Sequence, residues 1–164
     1  MHDPWRKFLA VLAGPDQPHA IFDALEVLTV DTVGTLLFTA MTHDTTTMRS
    51  IRRHSSNEAA YPVGGWKPLR QGLWFETVIA GRRPFAALTI EEIAVVFSDY
   101  ELIRSLGCES ALNLPVVVDN RVIGTVNLLH EKGYYTPARV EAAADLLPFA
   151  TVAFLAAAVT DKRD

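Results

Sequence analysis

The chain has 164 residues and a net charge of −4, from 19 acidic and 15 basic side chains. This length corresponds to one domain, and 49% hydrophobic with 21% charged residues is typical of a soluble globular protein and excludes a disordered one. A negative net charge repels a phosphate backbone, so we expect no nucleic-acid partner. The single cysteine excludes an intramolecular disulfide and favours a cytoplasmic location.

The N-terminal part of the chain predicts two helices. Asp3 and Pro4 are suited to the start of a short helix, and apolar residues recur at helical spacing over residues 19–32. We therefore expect residues 1–17 to form an N-terminal helical extension and residues 18–164 to form the main domain.

A β-hairpin is predicted next. The segments TLLFTAMT and TMRSIRRHS flank the polar sequence HDTT, which indicates two strands joined by a turn that contains His43 and Asp44. Alternation on the second strand puts Arg52 and His54 on one face and Arg53 on the other. We interpret its arginines as the charges of a solvated outer strand.

The middle of the chain predicts a long loop and two helices. Residues 57–68 are too rich in glycine and proline for regular structure, and we expect Tyr61 and Trp66 in this loop to fold back and cover something. Two capping boxes, Thr89 with Glu92 and Ser98 with Glu101, predict the starts of the helices, and Gly107 ends the second one.

A second hairpin is predicted around the sequence DNR. A two-residue connection would put Arg121 on the apolar face, so we expect a connection of three residues. One face is then polar, with Asn113 opposite Asn127. The other is apolar and includes Gly124, which a helix can approach closely. The expected apolar face consists of Leu112, Leu114, Val116, Val118, Val122, Gly124, Val126 and Leu128.

A closing helix is predicted from Thr136 and Pro137 to about Val159, with a kink or break at 145–148 caused by Pro148. Its apolar run is shorter than the roughly 20 residues of a membrane span, so we expect no membrane partner. The helix is apolar on more than one side, which predicts a homodimer through the terminal helices. We expect Val140, Leu147, Phe154 and Leu155 to face the sheet, and a second copy to cover Leu146, Phe149, Val152, Ala156 and Val159.

The sequence LGC-x-S-x-LNLPV, followed by a turn and VIGTVNLLH, resembles the last two strands of a GAF domain. The resemblance covers roughly residues 18–159. It implies an α+β fold related to PAS domains, with a central antiparallel sheet of about five or six strands. The terminal helices would lie on one face, and the middle helices and loop would cover a pocket on the other. GAF domains bind cyclic nucleotides, bilins, haem, amino acids or other small metabolites, so the resemblance implies a sensor while leaving its ligand and any cofactor unknown.

Aromatic walls and two facing amides in such a pocket suit a small, neutral or anionic organic molecule. For Trp74, Phe97 and Ile103, packing in the core is the alternative interpretation. The expected ligand-binding residues are Tyr61, Trp66, Trp74, Phe97, Tyr100, Ile103, Asn113, Thr125, Asn127 and Leu129.

Catalysis is not expected from this chain. One GAF branch, the free methionine-R-sulfoxide reductases, acts through cysteine, but here Ala111, Asn127 and Leu129 stand where that branch has acidic residues. Cys108 follows a helix C-terminus, where carbonyl groups disfavour a thiolate, and we expect it to be structural.

The remaining candidates are weak. The histidines lack the spacing of a metal site, and Asp99 is the least implausible general base. We therefore favour a sensory or regulatory binding module that signals through a partner. The alternatives are an enzyme acting on a small metabolite in the same pocket and a purely structural dimerisation module.

Overall fold

The computed structural model describes residues 3–163. The start of the predicted extension, Met1 and His2, and the last residue of the predicted main domain, Asp164, lie outside the described residues. A six-stranded sheet in the order β3-β2-β1-β6-β5-β4 forms the centre, and every neighbouring pair is antiparallel. The strands are β1 (Leu37–Asp44), β2 (Arg49–Ser55), β3 (Lys67–Pro68), β4 (Phe85–Ala87), β5 (Ser110–Val118) and β6 (Arg121–His130).

Helices lie on both sides of this sheet, which confirms the expected α+β architecture. They are α1 (Pro4–Ala13), α2 (His19–Thr32), α3 (Ile90–Val96), α4 (Tyr100–Ser105), α5 (Pro137–Ala143) and α6 (Leu147–Asp161), together with a π-helix (Phe75–Ala80) and a 3₁₀ turn (Ala144–Leu146). One face of the sheet packs against α2 and α6, and we call it the terminal-helix face; we call the opposite face the pocket face.

Helix α1 covers an apolar side of α6 that does not face the sheet, the side that carries Phe149. Phe8 of α1 is buried, and the ring of Trp5 stacks on that of Phe149 with centroids 4.1 Å apart. Phe149 and Leu146 are therefore buried within one chain, contrary to the expectation that a second copy covers them. Leu155, expected to face the sheet, is 43% exposed. The expectation missed this because it considered only the sheet and a second copy as partners for α6.

The β5–β6 connection has two residues, so the predicted three-residue turn is wrong. Asp119 and Asn120 have φ of 49° and 59°, as a type I′ turn requires. A β-bulge follows, because Val116 pairs with Gly124 while Val117 pairs with Val122. The extra residue in β6 restores the predicted sorting of faces beyond the bulge.

Two consequences follow for the faces of this hairpin. Asn113 pairs with Asn127 on the pocket face, as predicted. Val122, expected on the apolar terminal-helix face, instead packs against Val78 and Ile79 of the π-helix. The bulge shifts the alternation by one residue, which is what turns Val122 to the other side.

A second bulge, between Ala40 and Met41 of β1, changes the faces of β2. Arg52 lies opposite Met41, whereas His54 lies opposite Ala40, so Arg53 is the extra residue. His54 contacts Glu26 of α2 on the terminal-helix face, contrary to the predicted grouping with Arg52. Arg53 also lies there, with hydrogen bonds to Thr42 and an ion pair to Asp161 at the end of α6.

One of the two predicted capping boxes forms. Thr89 Oγ1 accepts from the amide of Glu92, and the Glu92 carboxylate accepts from the amide of Leu88. The box at Ser98 does not form, because α4 begins one residue later, after Asp99. The Asp99 carboxylate makes no cap either, since its Oδ2 accepts a hydrogen bond from Tyr61.

The closing helix is interrupted as predicted. Thr136 caps α5, the 3₁₀ turn follows, and Pro148 lies in the first turn of α6, where a missing amide donor costs nothing. The run Pro137–Asp161 has 25 residues, and an 18-residue stretch within it has a mean hydropathy of 1.9, enough by length and composition to cross a membrane. Its buried residues, including Ala150, Ala153 and Phe154, pack in the protein core.

Candidate functional site

A row of polar side chains crosses the pocket face where an apolar core is the usual solution. Asn113, Asn127 and Thr39 are cross-strand neighbours on β5, β6 and β1. Asn113 Nδ2 donates to Asn127 Oδ1 at 2.9 Å, and Asn127 Nδ2 donates to Thr39 Oγ1 at 3.2 Å. Burying these amides is costly unless they are paired, so the row forms a connected network.

Trp74 extends this network with a hydrogen bond from its indole. Its indole Nε1 donates to Asn113 Oδ1 at 2.9 Å, and its ring lies 5.8 Å from the ring of His43 and 6.4 Å from that of Phe97. Trp74 immediately precedes the π-helix, a rare element that is often associated with functional sites. The π-helix is anchored further on by the buried side chains of Val78 and Ile79.

His43 is a buried polar residue of this site that the sequence did not predict. It belongs to β1 rather than to a turn, and only 6% of it is exposed. Its Nδ1 lies 2.6 Å from Ser50 Oγ, and its Nε2 lies 2.9 Å from Thr125 Oγ1. Burial lowers the pKa of His43 from 6.5 to about 4, so the ring is neutral at pH 7. Asp44, also predicted in the turn, is the last residue of β1, and its carboxylate accepts from the amides of Thr46 and Thr47 in the turn that follows.

An apolar cluster adjoins the polar row. It includes five of the residues expected to bind a ligand, and Ile103 at 4% exposure is the most deeply buried of the middle-helix candidates. These five are Tyr61, Phe97, Tyr100, Ile103 and Leu129. Cys108 and Ala111 pack in the same cluster, so it acts as a small second core.

The predicted site residues thus divide into three groups. Trp74, Asn113, Thr125 and Asn127 meet at the polar row, and the five residues above form the neighbouring cluster. Trp66 lies apart: it is 41% exposed, and the guanidinium of Arg49 stacks over its ring at 4.4 Å.

Tyr61 connects the long loop to α4. Its hydroxyl donates to Asp99 Oδ2 at 2.6 Å, and the guanidinium of Arg52 lies 5.2 Å from its ring centroid. Burial, reinforced by Asp99, raises the pKa of Tyr61 far above its ordinary value. The loop is thereby held over the edge of the pocket face.

Two cavities have none of Thr39, Asn113 and Asn127 in their walls, although the first includes His43. One of about 300 Å³ lies near the β1–β2 turn and the end of α6, with Arg53, Arg121 and Phe154 in its wall. The other, of about 440 Å³, lies between α3 and α5, beside Leu88 and Val140. The indole of Trp74 is hydrogen-bonded to the row, so a ligand that binds to Asn113 competes with it.

Cys108 has the surroundings of a structural residue. It is 1% exposed, and burial raises the pKa of its thiol. A thiol of this kind is a poor nucleophile, because the thiolate is the reactive form.

We expect Cys108→Ser to fold and to keep any ligand binding, with a loss of stability of at most about 1–3 kcal/mol from the buried hydroxyl. Chemical denaturation and ligand titration of the two proteins check this. Methionine-sulfoxide reduction by the wild type that disappears in Cys108→Ser would contradict a structural role.

A family model for the GAF domain matches residues 19–154. The match spans most of the chain, and the chain therefore belongs to the GAF domain family.

Solved structures agree on the fold. The GAF domain/HD domain protein from Geobacter sulfurreducens is 16% identical, with a TM-score of 0.69 over 92% of this chain and 97% of that one. The GAF domain of a two-component sensor histidine kinase from Bacillus halodurans is 12% identical, with a TM-score of 0.69 over 87% and 97%. The second GAF domain of DevS from Mycobacterium smegmatis is 14% identical, with a TM-score of 0.62 over 90% and 100%. No curated protein matches the sequence.

Proposed function

We propose that the chain is a cytoplasmic sensory module that binds a small organic molecule on the pocket face and signals through a partner protein. The observation that carries this proposal is the part-buried, hydrogen-bonded chain of polar groups from Trp74 through Asn113 and Asn127 to Thr39. A purely structural domain gains more from apolar residues at such positions, because burying an amide costs desolvation energy that its hydrogen bonds largely only offset. The solved neighbours include a GAF domain of a sensor histidine kinase, which supports a regulatory role.

Trp74 is proposed to act as the gate of this site. Its indole N–H donates to Oδ1 of Asn113. A ligand that displaces Trp74 therefore has to supply a hydrogen-bond donor of its own to this oxygen. Planar molecules with an N–H or O–H donor fit this requirement, since they can stack on Phe97 and reach the amide row. Binding would move the segment that precedes the π-helix, which gives the module an output.

Tryptophan fluorescence tests the gate directly. The protein has three tryptophans, and the double variant Trp5→Phe/Trp66→Phe leaves Trp74 as the sole reporter. Without ligand, we expect low accessibility of Trp74 to acrylamide. Titration with nicotinamide, benzamide, uracil and a metabolite extract is expected to shift its emission to the red and to raise quenching as the ring leaves Asn113.

Two controls make this test specific. The variant Trp5→Phe/Trp74→Phe, which reports from exposed Trp66, should not respond. Asn113→Leu in the Trp74-only protein should abolish the response, whereas Asn120→Gly in the exposed turn should not. A Trp74 that stays buried and silent in every titration would favour the structural dimerisation module and defeat the gate.

We also propose a homodimer through the terminal helices. Val159, Leu155 and Val27 on α6 and α2 remain 56%, 43% and 54% exposed in the single chain, so a second copy has apolar surface to cover. Phe149, in contrast, is a poor probe of the interface because α1 already covers it.

Light scattering at micromolar concentration is expected to give about twice the chain mass of 18.1 kDa. Val159→Glu should shift the protein toward monomer without changing its helix content, and Val95→Glu, on exposed α3, is the matched control. A wild-type monomer, or a dimer that Val159→Glu and Leu155→Glu leave intact, would refute this interface.

A further inference from the structure

Arg52 is a half-buried cation of the pocket face that has no counter-ion among residues 3–163. Its partner across the strands is Met41, which places it on the same face as Thr39, His43 and Ser50. Within residues 3–163, no carboxylate oxygen comes within 4.0 Å of its guanidinium, although Arg53, the next residue, is paired with Asp161. A half-buried charge without a partner is costly, so this arrangement calls for an explanation.

The guanidinium uses only one of its edges. Nη1 donates to the carbonyl oxygen of Pro62 at 3.0 Å, while Nε is buried and has no hydrogen-bond partner. Asp99 is the acid whose charge acts on Arg52. Its Oδ2 accepts a hydrogen bond from the hydroxyl of Tyr61, and it does not approach Arg52 closely enough for an ion pair. The edge formed by Nε and Nη2 therefore has no acceptor among the described residues.

Burial is the largest influence on the pKa of Arg52 and lowers it, with Tyr61 and Asp99 only partly offsetting the effect. His43, a buried base on this face, is neutral at pH 7 because burial lowers its pKa. Lys67, opposite Ser50 on β3, is exposed, so Arg52 supplies the half-buried positive charge of this part of the face.

We infer that Arg52 binds the carboxylate of an organic acid whose planar body lies on the Asn113–Asn127 row; this inference rests on the proposed function. The Nε–Nη2 edge is a planar pair of donors, which matches the two oxygens of a carboxylate. Arg52 lies on β2 and Asn127 on β6, two strands away. Because neighbouring strands are about 4.8 Å apart, the acid and the body of the ligand are separated by roughly 10 Å or less.

The Tyr61 loop has to open for this ligand to enter. Tyr61 covers the guanidinium, and the following Gly64 and Gly65 have φ of 80° and 69°, a conformation that suits glycine and allows a tight return of the chain. The Asp99 carboxylate near this position disfavours a group with two negative charges. A carboxylate is therefore preferred to a phosphate monoester.

Matched acids and amides test the inference. The probes are benzoate against benzamide and indole-3-acetate against indole-3-acetamide, with inorganic phosphate as a separate arm, each measured by thermal shift and by Trp74 emission. For wild type, we expect the acids to bind roughly tenfold or more tightly than the amides, the size of a charge-assisted pair. This preference should disappear in Arg52→Gln and persist in Arg49→Gln, which removes an exposed arginine from the same strand.

Other outcomes overturn the inference. Equal binding of acid and amide, an acid preference that survives Arg52→Gln, binding of phosphate alone, or no binding of any acid would each do so. A Trp74 response to the amides without acid preference would leave the proposed function standing while removing the role of Arg52. An acid preference that depends on Arg52 without any Trp74 response would instead refute the gate.

Discussion

Gly124→Leu is expected to destabilise the protein strongly, because it overpacks the contact between the sheet and α6. Gly124 lies opposite Val116 on the terminal-helix face, and a Cβ at this position would lie 2.5 Å from Cε1 of Phe154. Phe154 is buried and packs edge-on against Phe22 with ring centroids 5.2 Å apart, so moving its ring away from residue 124 disturbs the core. Overpacking of this kind costs about 1–3 kcal/mol, and a leucine at so close a contact should reach or exceed the upper end.

Urea denaturation provides the measurement. Val117→Leu, which enlarges a 42% exposed residue of the same hairpin, is the control and should leave the midpoint nearly unchanged. The double variant Gly124→Ala/Phe154→Leu should lose less stability than the sum of its single changes, because the two residues share one contact. An unchanged midpoint for Gly124→Leu would mean that the register of β6 is wrong.

The second large effect is a loss of stability in acid that depends on His43. In the unfolded chain His43 takes up a proton near pH 6.5, whereas in the native protein burial lowers its pKa to about 4. Between these values the unfolded state binds more protons, so stability falls as the pH is lowered from 6.5 toward 4. A shift of this size corresponds to roughly 3 kcal/mol once both states are protonated.

His43→Gln isolates this contribution, because it removes the titration and leaves the carboxylates in place. The difference in unfolding free energy between wild type and His43→Gln should change in favour of the variant from pH 7 to pH 4. His130 is the control, because burial also lowers its pKa but it is less buried than His43. His130→Gln should therefore change the pH dependence of the unfolding free energy less than His43→Gln does. A pH-independent difference between wild type and His43→Gln would show that His43 is not buried as a neutral ring.

Much of the fold follows from alternation and turn chemistry in the sequence. The pairing of Asn113 with Asn127 was predictable because apolar and polar residues alternate along both strands. The turn length was not, because a type I′ turn with a β-bulge gives the same sorting of faces as a longer turn, except at Val122. Bulges are single-residue features that local composition does not reveal.

The site was less predictable, since it depends on contacts between distant segments. His43 is next to a turn, and histidine followed by aspartate is typical of turns, so its burial between Ser50 and Thr125 was missed. The one signal was alternation along β1, because Thr39, Met41 and His43 are two residues apart and therefore share the pocket face. The covering of Phe149 by Trp5 likewise joins residues 144 positions apart. The unpaired state of Arg52 is a property of the folded surroundings.

Native mass spectrometry of the purified protein tests the central claim, that the pocket face binds a small molecule. We expect a noncovalent adduct, either on the protein as isolated or after incubation with a metabolite extract. The adduct should be present on wild type and on Asn120→Gly and absent from Asn113→Leu. Bare multiples of the 18.1 kDa chain under all of these conditions, or an adduct that Asn113→Leu retains, would contradict it.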